Sequence, residues 1–213
     1  MTPIRLVRGF VTVGGWTLAS RLMGFVRDVM MAAYLGAGPV AEAFLIAFSL
    51  PNMFRRFFAE GAFNMAFVPM FAKKYEARED AENFARDAYW GMAGVLLVFT
   101  MVGMLAMPWL VLAMASGFRG DARFDLAVMF GNIAFPYILF ISLTALISGM
   151  LNATGRFMAT AAVPILMNAL FIAAMLAADR LDWPMGLTLA WTVPATGVAQ
   201  LAFTWVALRR AGF

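Results

Sequence analysis

The chain has 213 residues, of which 63% are hydrophobic and 13% are charged, so it is far more apolar than an ordinary soluble domain. Its net charge is +4, carried mainly by arginine, and it contains no histidine and no cysteine. This composition excludes disulfides, thiolate or imidazole chemistry and the usual zinc sites. We expect no cofactor and no metal. We also expect no bound nucleic acid, because no soluble basic face is predicted. Instead, the length suits about six membrane spans.

The predicted fold class is an all-α membrane protein, a six-transmembrane-helix bundle forming a single unit over residues 1–213. The spans are predicted at about 9–34, 42–72, 88–113, 126–152, 157–178 and 184–208, with a polar connector at 73–87. Each predicted span is long enough to cross about 30 Å of hydrocarbon.

The amino-terminal end superficially resembles a signal peptide, because Arg5 and Arg8 precede an apolar run. No small-x-small cleavage site precedes Ala19, and apolar sequence resumes directly after Arg21. We therefore expect this segment to remain in the protein as the first span.

The first span is interrupted by charge within SRLMGFVRD, which holds Arg21, Arg27 and Asp28. Arg21 and Asp28 are seven residues apart and share one face of a helix. We therefore expect Asp28 to neutralise Arg21 and to leave Arg27 without a partner.

The second span carries Arg55, Arg56 and Glu60 within LPNMFRRFFAEGAFNMAFVP. Arg56 and Glu60 lie one helical turn apart and can pair, whereas Arg55 projects about 100° away and has no acid in register. A central arginine costs about 2.5–3.5 kcal/mol on insertion scales, so this surface should line protein or water. Its simplest use is to hold an anion inside the membrane.

The later segments are interpreted as supports for the first two. The connector KKYEAREDAENFARD repeats Arg78, Glu82 and Arg86 at intervals of four, which predicts a short solvated helix at the membrane surface. The four remaining spans contain no charged residue and are read as scaffold. Their polar residues are expected to bond between helices; these are Asn132, Asn168 and Gln200.

Loop charge predicts that both termini are cytoplasmic. With the amino terminus inside, the outer segments hold three basic residues, Arg119, Arg123 and Arg180. The inner segments hold nine: Arg5, Arg8, Lys73, Lys74, Arg78, Arg86, Arg156, Arg209 and Arg210. This asymmetry follows the positive-inside rule.

Five sequence blocks in order resemble the MurJ/MviN family of lipid II flippases, within the multidrug, oligosaccharidyl-lipid and polysaccharide exporter superfamily. The blocks are SRLMGFVRD (20–28), LGAGPVAEAF (35–44), LPNMFRRFFAEGAFNMAFVP (50–69), FPYILFISL (135–143) and LNATGRF (151–157). The resemblance covers essentially the whole chain but only about the first six of the family's fourteen helices. It implies an amino-terminal lobe with the second lobe absent, and we expect such a fragment not to flip lipid alone.

The resemblance implies transport without covalent chemistry, so the chain is not expected to be an enzyme. Family members move lipid II, a polyprenyl-pyrophosphate-linked peptidoglycan precursor, across the bacterial cytoplasmic membrane by alternating access, and membrane lipids surround them. The family's functional arginines match Arg21, Arg27 and Arg55, which would bind the pyrophosphate in a cationic cavity. Asp28, Arg56 and Glu60 would support them as ion pairs.

Two positions depart from the family's pattern. Glu42 stands where the family usually has Asp, and Ser49 stands where it often has a basic residue, which would make the cavity less positive. Glu42, Ser49 and Asn52 are treated as candidate cavity or gate residues.

Three alternatives remain open at this point. The chain could belong to an exporter of another polyprenyl-linked glycan or of a drug, or it could be a membrane scaffold that transports nothing. A membrane-embedded enzyme acting on polyprenyl pyrophosphate ranks below both, because histidine and a free carboxylate pair are lacking.

Overall fold

The computed structural model describes residues 3–213, and the side chains of residues 11–61 and 63–213. The described chain is α-helical, with one short 3-10 turn at Ser116–Phe118 and no strand. Its helices are α1 Pro3–Leu35, α2 Pro39–Phe58, α3 Ala62–Ala77, α4 Ala81–Leu105, α5 Met107–Met114, α6 Ala122–Ala134, α7 Tyr137–Ala153, α8 Phe157–Leu181 and α9 Met185–Arg210.

These helices follow the six predicted segments, so the all-α class is confirmed, but the count of six unbroken helices is not exact. The second, third and fourth segments are each divided, into α2 and α3, α4 and α5, and α6 and α7. Three described stretches are long and apolar enough to cross a membrane by length and composition: Ala81–Leu105, Ala122–Ala153 and Phe157–Leu181.

The second segment breaks at residues 59–61, so the prediction of one helix over 42–72 is wrong. A Cβ placed on Gly61 would lie 2.2 Å from the backbone oxygen of Phe57, so only glycine fits the bend there. The break places Glu60 outside the helical register of Arg55 and Arg56.

The polar connector is not a single helix either. Helix α3 ends at Ala77, Arg78 adopts a left-handed conformation with φ 55°, and α4 begins at Ala81. Arg78 and Glu82 therefore do not share a helix, and the prediction of one short helix that carries Arg78, Glu82 and Arg86 is wrong.

The core lies where α2 packs on α6 and where α9 packs on both α7 and α8. An aromatic cluster joins these helices to α4, because Phe99 contacts Phe54, Phe58 and Phe135 with ring centroids 4.9–6.0 Å apart. Gly103, on α4, faces the same cluster. A Cβ there would lie 2.0 Å from the ring of Phe135, which is fully buried.

Helix α1 packs mainly against α8 and is fastened to it by a buried amide. Asn168 on α8 accepts a hydrogen bond from Nη1 of Arg27 at 2.9 Å and donates one to the backbone oxygen of Ser20 at 3.0 Å.

Gln200 on α9 donates a hydrogen bond to the backbone oxygen of Val163 on α8. Asn168 and Gln200 thus bond between helices as predicted, whereas the Oδ1 atom of Asn132 has no partner in the described structure.

We predict that Gly103→Ala destabilises the bundle by about 1–3 kcal/mol, because the added methyl group would push the buried Phe135 ring into its neighbours. Gly94→Ala is the matched control on the same helix, since a Cβ there meets nothing within 4 Å. The melting temperature in detergent should fall for the first variant and not for the second. Equal melting temperatures would contradict the close packing of α4.

We also predict that Asn168→Ala loosens α1 from α8. The change removes a neutral hydrogen bond of about 0.5–1.5 kcal/mol and one to a charged group of about 1.5–3 kcal/mol. Amide hydrogen exchange in α1 should therefore accelerate. Asn132→Ala is the control, because its Oδ1 has no partner to lose. If exchange in α1 responds equally to both changes, the amide does not fasten the helix.

Candidate functional site

A groove of about 380 Å³ opens between the break in the second segment and helices α7 and α8. Its lining includes hydrophobic residues such as Ile141 and Val163 and an unusual number of polar side chains for a membrane bundle. The polar members are Arg55, Glu60, Asn64, Thr144, Ser148, Asn152 and Thr160. One cation, one anion and five uncharged hydrogen-bonding groups therefore meet in one concavity.

Arg55 supplies the cation of this groove. It lies in the last turn of α2, and its Nη1 atom donates to Oε1 of Glu60 at 2.6 Å. The predicted pairing of Arg56 with Glu60 is wrong, because α2 ends at Phe58 and Glu60 follows in the bend. Arg56 is exposed and forms no ion pair within the described residues.

Arg27, on α1, is also paired rather than free. Its Nε and Nη2 atoms donate to Oδ1 of Asp28 at 3.0 and 2.8 Å, and its Nη1 bonds Asn168. The predicted pairing of Arg21 with Asp28 is wrong, because seven residues of helix separate them by about 10 Å along the axis. Among the described side chains, exposed Arg21 has no ion pair.

Both paired arginines are partly exposed at the surface of the bundle, and their carboxylate partners are more exposed than they are. The exposed fraction is 18% for the Arg27 side chain and 61% for Asp28, and it is 32% for Arg55 and 56% for Glu60. Each guanidinium is thus partly buried, and its carboxylate partner lies nearer the surface of the bundle.

Arg27 lies beside α8 and is not among the residues that line the groove. Its guanidinium lies 5.8 Å from the centre of the Phe171 ring on α8. Of the two paired arginines, only Arg55 therefore lines the groove.

A polar stripe along α7 completes the groove, and the sequence analysis missed it. Thr144, Ser148 and Asn152 recur at intervals of four, so they share one helical face. Asn152 accepts a hydrogen bond from the hydroxyl of Thr160 on α8 at 2.8 Å. This spacing was visible in a span assigned to scaffold, and it was the signal that could have identified the face.

Asn64, at the start of α3, lines the groove and has a buried acceptor atom without a partner in the described structure. Its Nδ2 atom donates to the backbone oxygen of Ala59 at 2.7 Å, whereas its Oδ1 is buried and has no partner within the described structure. A buried acceptor without a partner costs about 1–3 kcal/mol, so this atom is suited to bind water or a donor from a ligand.

The three candidate gate residues do not gather at this groove. Glu42 lies in the first turn of α2, and its carboxylate accepts from Nη1 of Arg123 at 2.5 Å, which ties α2 to α6. Because 13 residues separate it from Arg55, the two are about 20 Å apart along the axis. Ser49 and Asn52 bond to carbonyl groups of their own helix, those of Leu45 and Phe48.

Comparisons with known proteins agree with this architecture. Residues 31–213 match the sequence profile of the family described as MurJ, "Lipid II flippase MurJ". A Rhizobium tropici protein named "Probable lipid II flippase MurJ" is 48% identical over 216 residues, covering 97% of this chain and 40% of the relative. A Burkholderia cenocepacia protein named "Lipid II flippase MurJ" is 43% identical over 201 residues, covering 92% and 39%.

A solved structure supports the fold. The structure titled "Lipid II flippase MurJ, inward closed conformation" matches with a TM-score of 0.74 at 22% identity, over 93% of this chain and 41% of that one. The chain therefore spans about 40% of the length of the relatives it matches. On the profile match across most of its length, this multi-pass helical membrane protein belongs to the MurJ family.

Proposed function

We propose that this chain is the amino-terminal lobe of a lipid II flippase of the bacterial cytoplasmic membrane, working by alternating access without covalent chemistry. The observation that supports this is the groove around Arg55, because a partly exposed guanidinium among uncharged polar groups is suited to bind a pyrophosphate. The second lobe would face this groove, and the polyprenyl tail would remain in the bilayer. Both termini of the lobe would be cytoplasmic, as loop charge predicts.

The pyrophosphate would bind by exchanging with the carboxylates that now neutralise the arginines. Glu60 and Asp28 lie on the exposed side of Arg55 and Arg27. An anionic oxygen of the substrate could replace each carboxylate, from the groove at Arg55 and beside α8 at Arg27, without leaving a guanidinium unpaired at any stage. Charge-assisted bonds from arginine forks suit several phosphate oxygens at once.

Arg21 would supply the net positive charge that the two ion pairs lack. It has no ion pair within the described residues, and it lies six residues before Arg27, about 9 Å along α1. Arg27 and Arg55 are each neutralised by a carboxylate. The cation of Arg21, on the same helix as Arg27, would therefore give the substrate-free lobe an attraction for anions. Arg56 would add to this field without lining the groove.

The uncharged groups of the groove would bind the sugar and peptide portions of the substrate. Ser148, Asn152 and Thr160 can each donate or accept, and Oδ1 of Asn64 is an unused acceptor. Hydroxyl and amide groups are abundant in a disaccharide pentapeptide. Such neutral contacts hold the head group while remaining weak enough to release it.

If a pyrophosphate replaces Glu60 at Arg55, substitutions of these two residues should have different effects on transport. Join this lobe to the second lobe of a family member, deplete the host flippase, and measure survival. Arg55→Gln should abolish complementation, because it removes a cation worth more than about tenfold in phosphate binding. Glu60→Gln should preserve it, because only the resident competitor is lost.

Arg56→Gln is the matched control, since Arg56 neighbours Arg55 but lies outside the groove lining. Membrane levels of each variant are measured by immunoblot. If Glu60→Gln fails as completely as Arg55→Gln at equal protein levels, the pair is structural and the proposed exchange is wrong. Survival of a chimera with Arg21, Arg27 and Arg55 all neutralised would remove the charge-based mechanism altogether.

A further inference from the structure

A second pocket, of about 220 Å³, lies away from the groove, where the start of α4 meets the ends of α7 and α9. Its inner wall is apolar and buried, and includes Ile147, Met150 and Leu208. Nothing in the flipping mechanism uses this pocket.

Aromatic side chains form the walls of this pocket. Tyr89 lies 5.4 Å from the ring of Trp90 and 5.5 Å from the ring of Trp205. Trp90 is 65% exposed and Trp205 is 36% exposed, so both indoles face outward from the bundle. Tyrosine and tryptophan in such positions are typical of the boundary between lipid tails and head groups.

The rim of the pocket carries two arginines from different helices. Arg209 on α9 lies 5.4 Å from the centre of the Trp205 ring. Arg86 on α4 lies 4.0 Å from the carboxylate of Asp87, at the limit of an ion pair, with 65% of its side chain exposed. Glu82 also lines the pocket. Among the residues that line the pocket, two guanidiniums stand against the one carboxylate of Glu82, and Asp87, the weak partner of Arg86, lies outside the lining.

The position of the pocket identifies the leaflet that would fill it. The start of α4 and the end of α9 belong to the end of the bundle that holds most of the basic residues, which the positive-inside rule places in the cytoplasm. The cytoplasmic leaflet is the one that presents anionic head groups, and basic pockets between membrane helices on that side bind them.

We propose that this pocket is a binding site for one anionic glycerophospholipid of the inner leaflet. The phosphate would lie between Arg86 and Arg209, and the glycerol backbone would lie against Trp90 and Trp205. One acyl chain would follow the outer surface of the bundle. Exposed apolar residues continue from the pocket along both helices; they include Val98 and Met101 on α4, and Val198 and Val206 on α9.

Tryptophan fluorescence in vesicles gives a direct test. In a background with Trp16, Trp109, Trp183 and Trp191 changed to Phe, only the two pocket indoles report. Brominated phosphatidylglycerol, added at low mole fraction to phosphatidylcholine vesicles, should quench them at a lower fraction than brominated phosphatidylcholine does. Arg86→Gln and Arg209→Gln should each weaken this preference by about fivefold, and together they should abolish it.

The matched control is the pair Arg78→Gln and Arg210→Gln, which removes the same charge from the same end without touching the pocket lining. Its preference for the anionic lipid should stay within about twofold of the parent. Glu82→Gln should strengthen the preference for the anionic lipid. This variant still tests the proposal if the double arginine variant does not fold.

Three results would overturn the proposal. Equal quenching by the two lipids in the parent would mean that the pocket does not select an anionic head group or is covered by another part of the protein. Equal loss in the pocket and control variants would mean that general surface charge, and not this pocket, attracts the lipid. An unchanged or weaker preference in Glu82→Gln would show that the rim charge does not act on the head group.

Discussion

Charged groups in an apolar bundle must be paired with an opposite charge or hydrated. The arrangement of the first two segments follows from that constraint. Arg27 and Arg55 are both half-sheltered, and each holds a carboxylate on its more exposed side. Each carboxylate offsets part of the cost of holding a cation in an apolar bundle. We propose that the carboxylates are resident ligands that a stronger anion displaces.

The break at residues 59–61 is what allows this arrangement around Arg55. A continuous helix would have directed Glu60 toward Arg56, one turn away, on a face outside the groove. Gly61 permits the chain to bend where any other residue would meet the backbone oxygen of Phe57. The bend returns Glu60 to Arg55, so a local backbone feature determines which arginine pairs with Glu60.

The sequence predicted the class, the order of the segments and which of them carry charge, because these depend on composition and span length. It also predicted the interhelical roles of Asn168 and Gln200, since a buried amide must find partners. It failed wherever the ion-pair partner of an arginine depended on where a helix ends or on how far the side chain extends. Both ion pairs were assigned to the wrong arginine for that reason. The stripe of Thr144, Ser148 and Asn152 was not predicted because none of its members carries a formal charge.

If this lobe binds a pyrophosphate as proposed, the groove beside Arg55 is an aqueous surface inside the membrane. The chain contains no cysteine, so a single Ser148→Cys change on the groove can be probed with a membrane-impermeant thiol reagent, with lipid-facing Leu97→Cys as the comparison. We predict that the first cysteine is labelled from the cytoplasmic side and is protected by pyrophosphate, whereas the second is unreactive. A cysteine at position 148 as unreactive as one at 97 would contradict it.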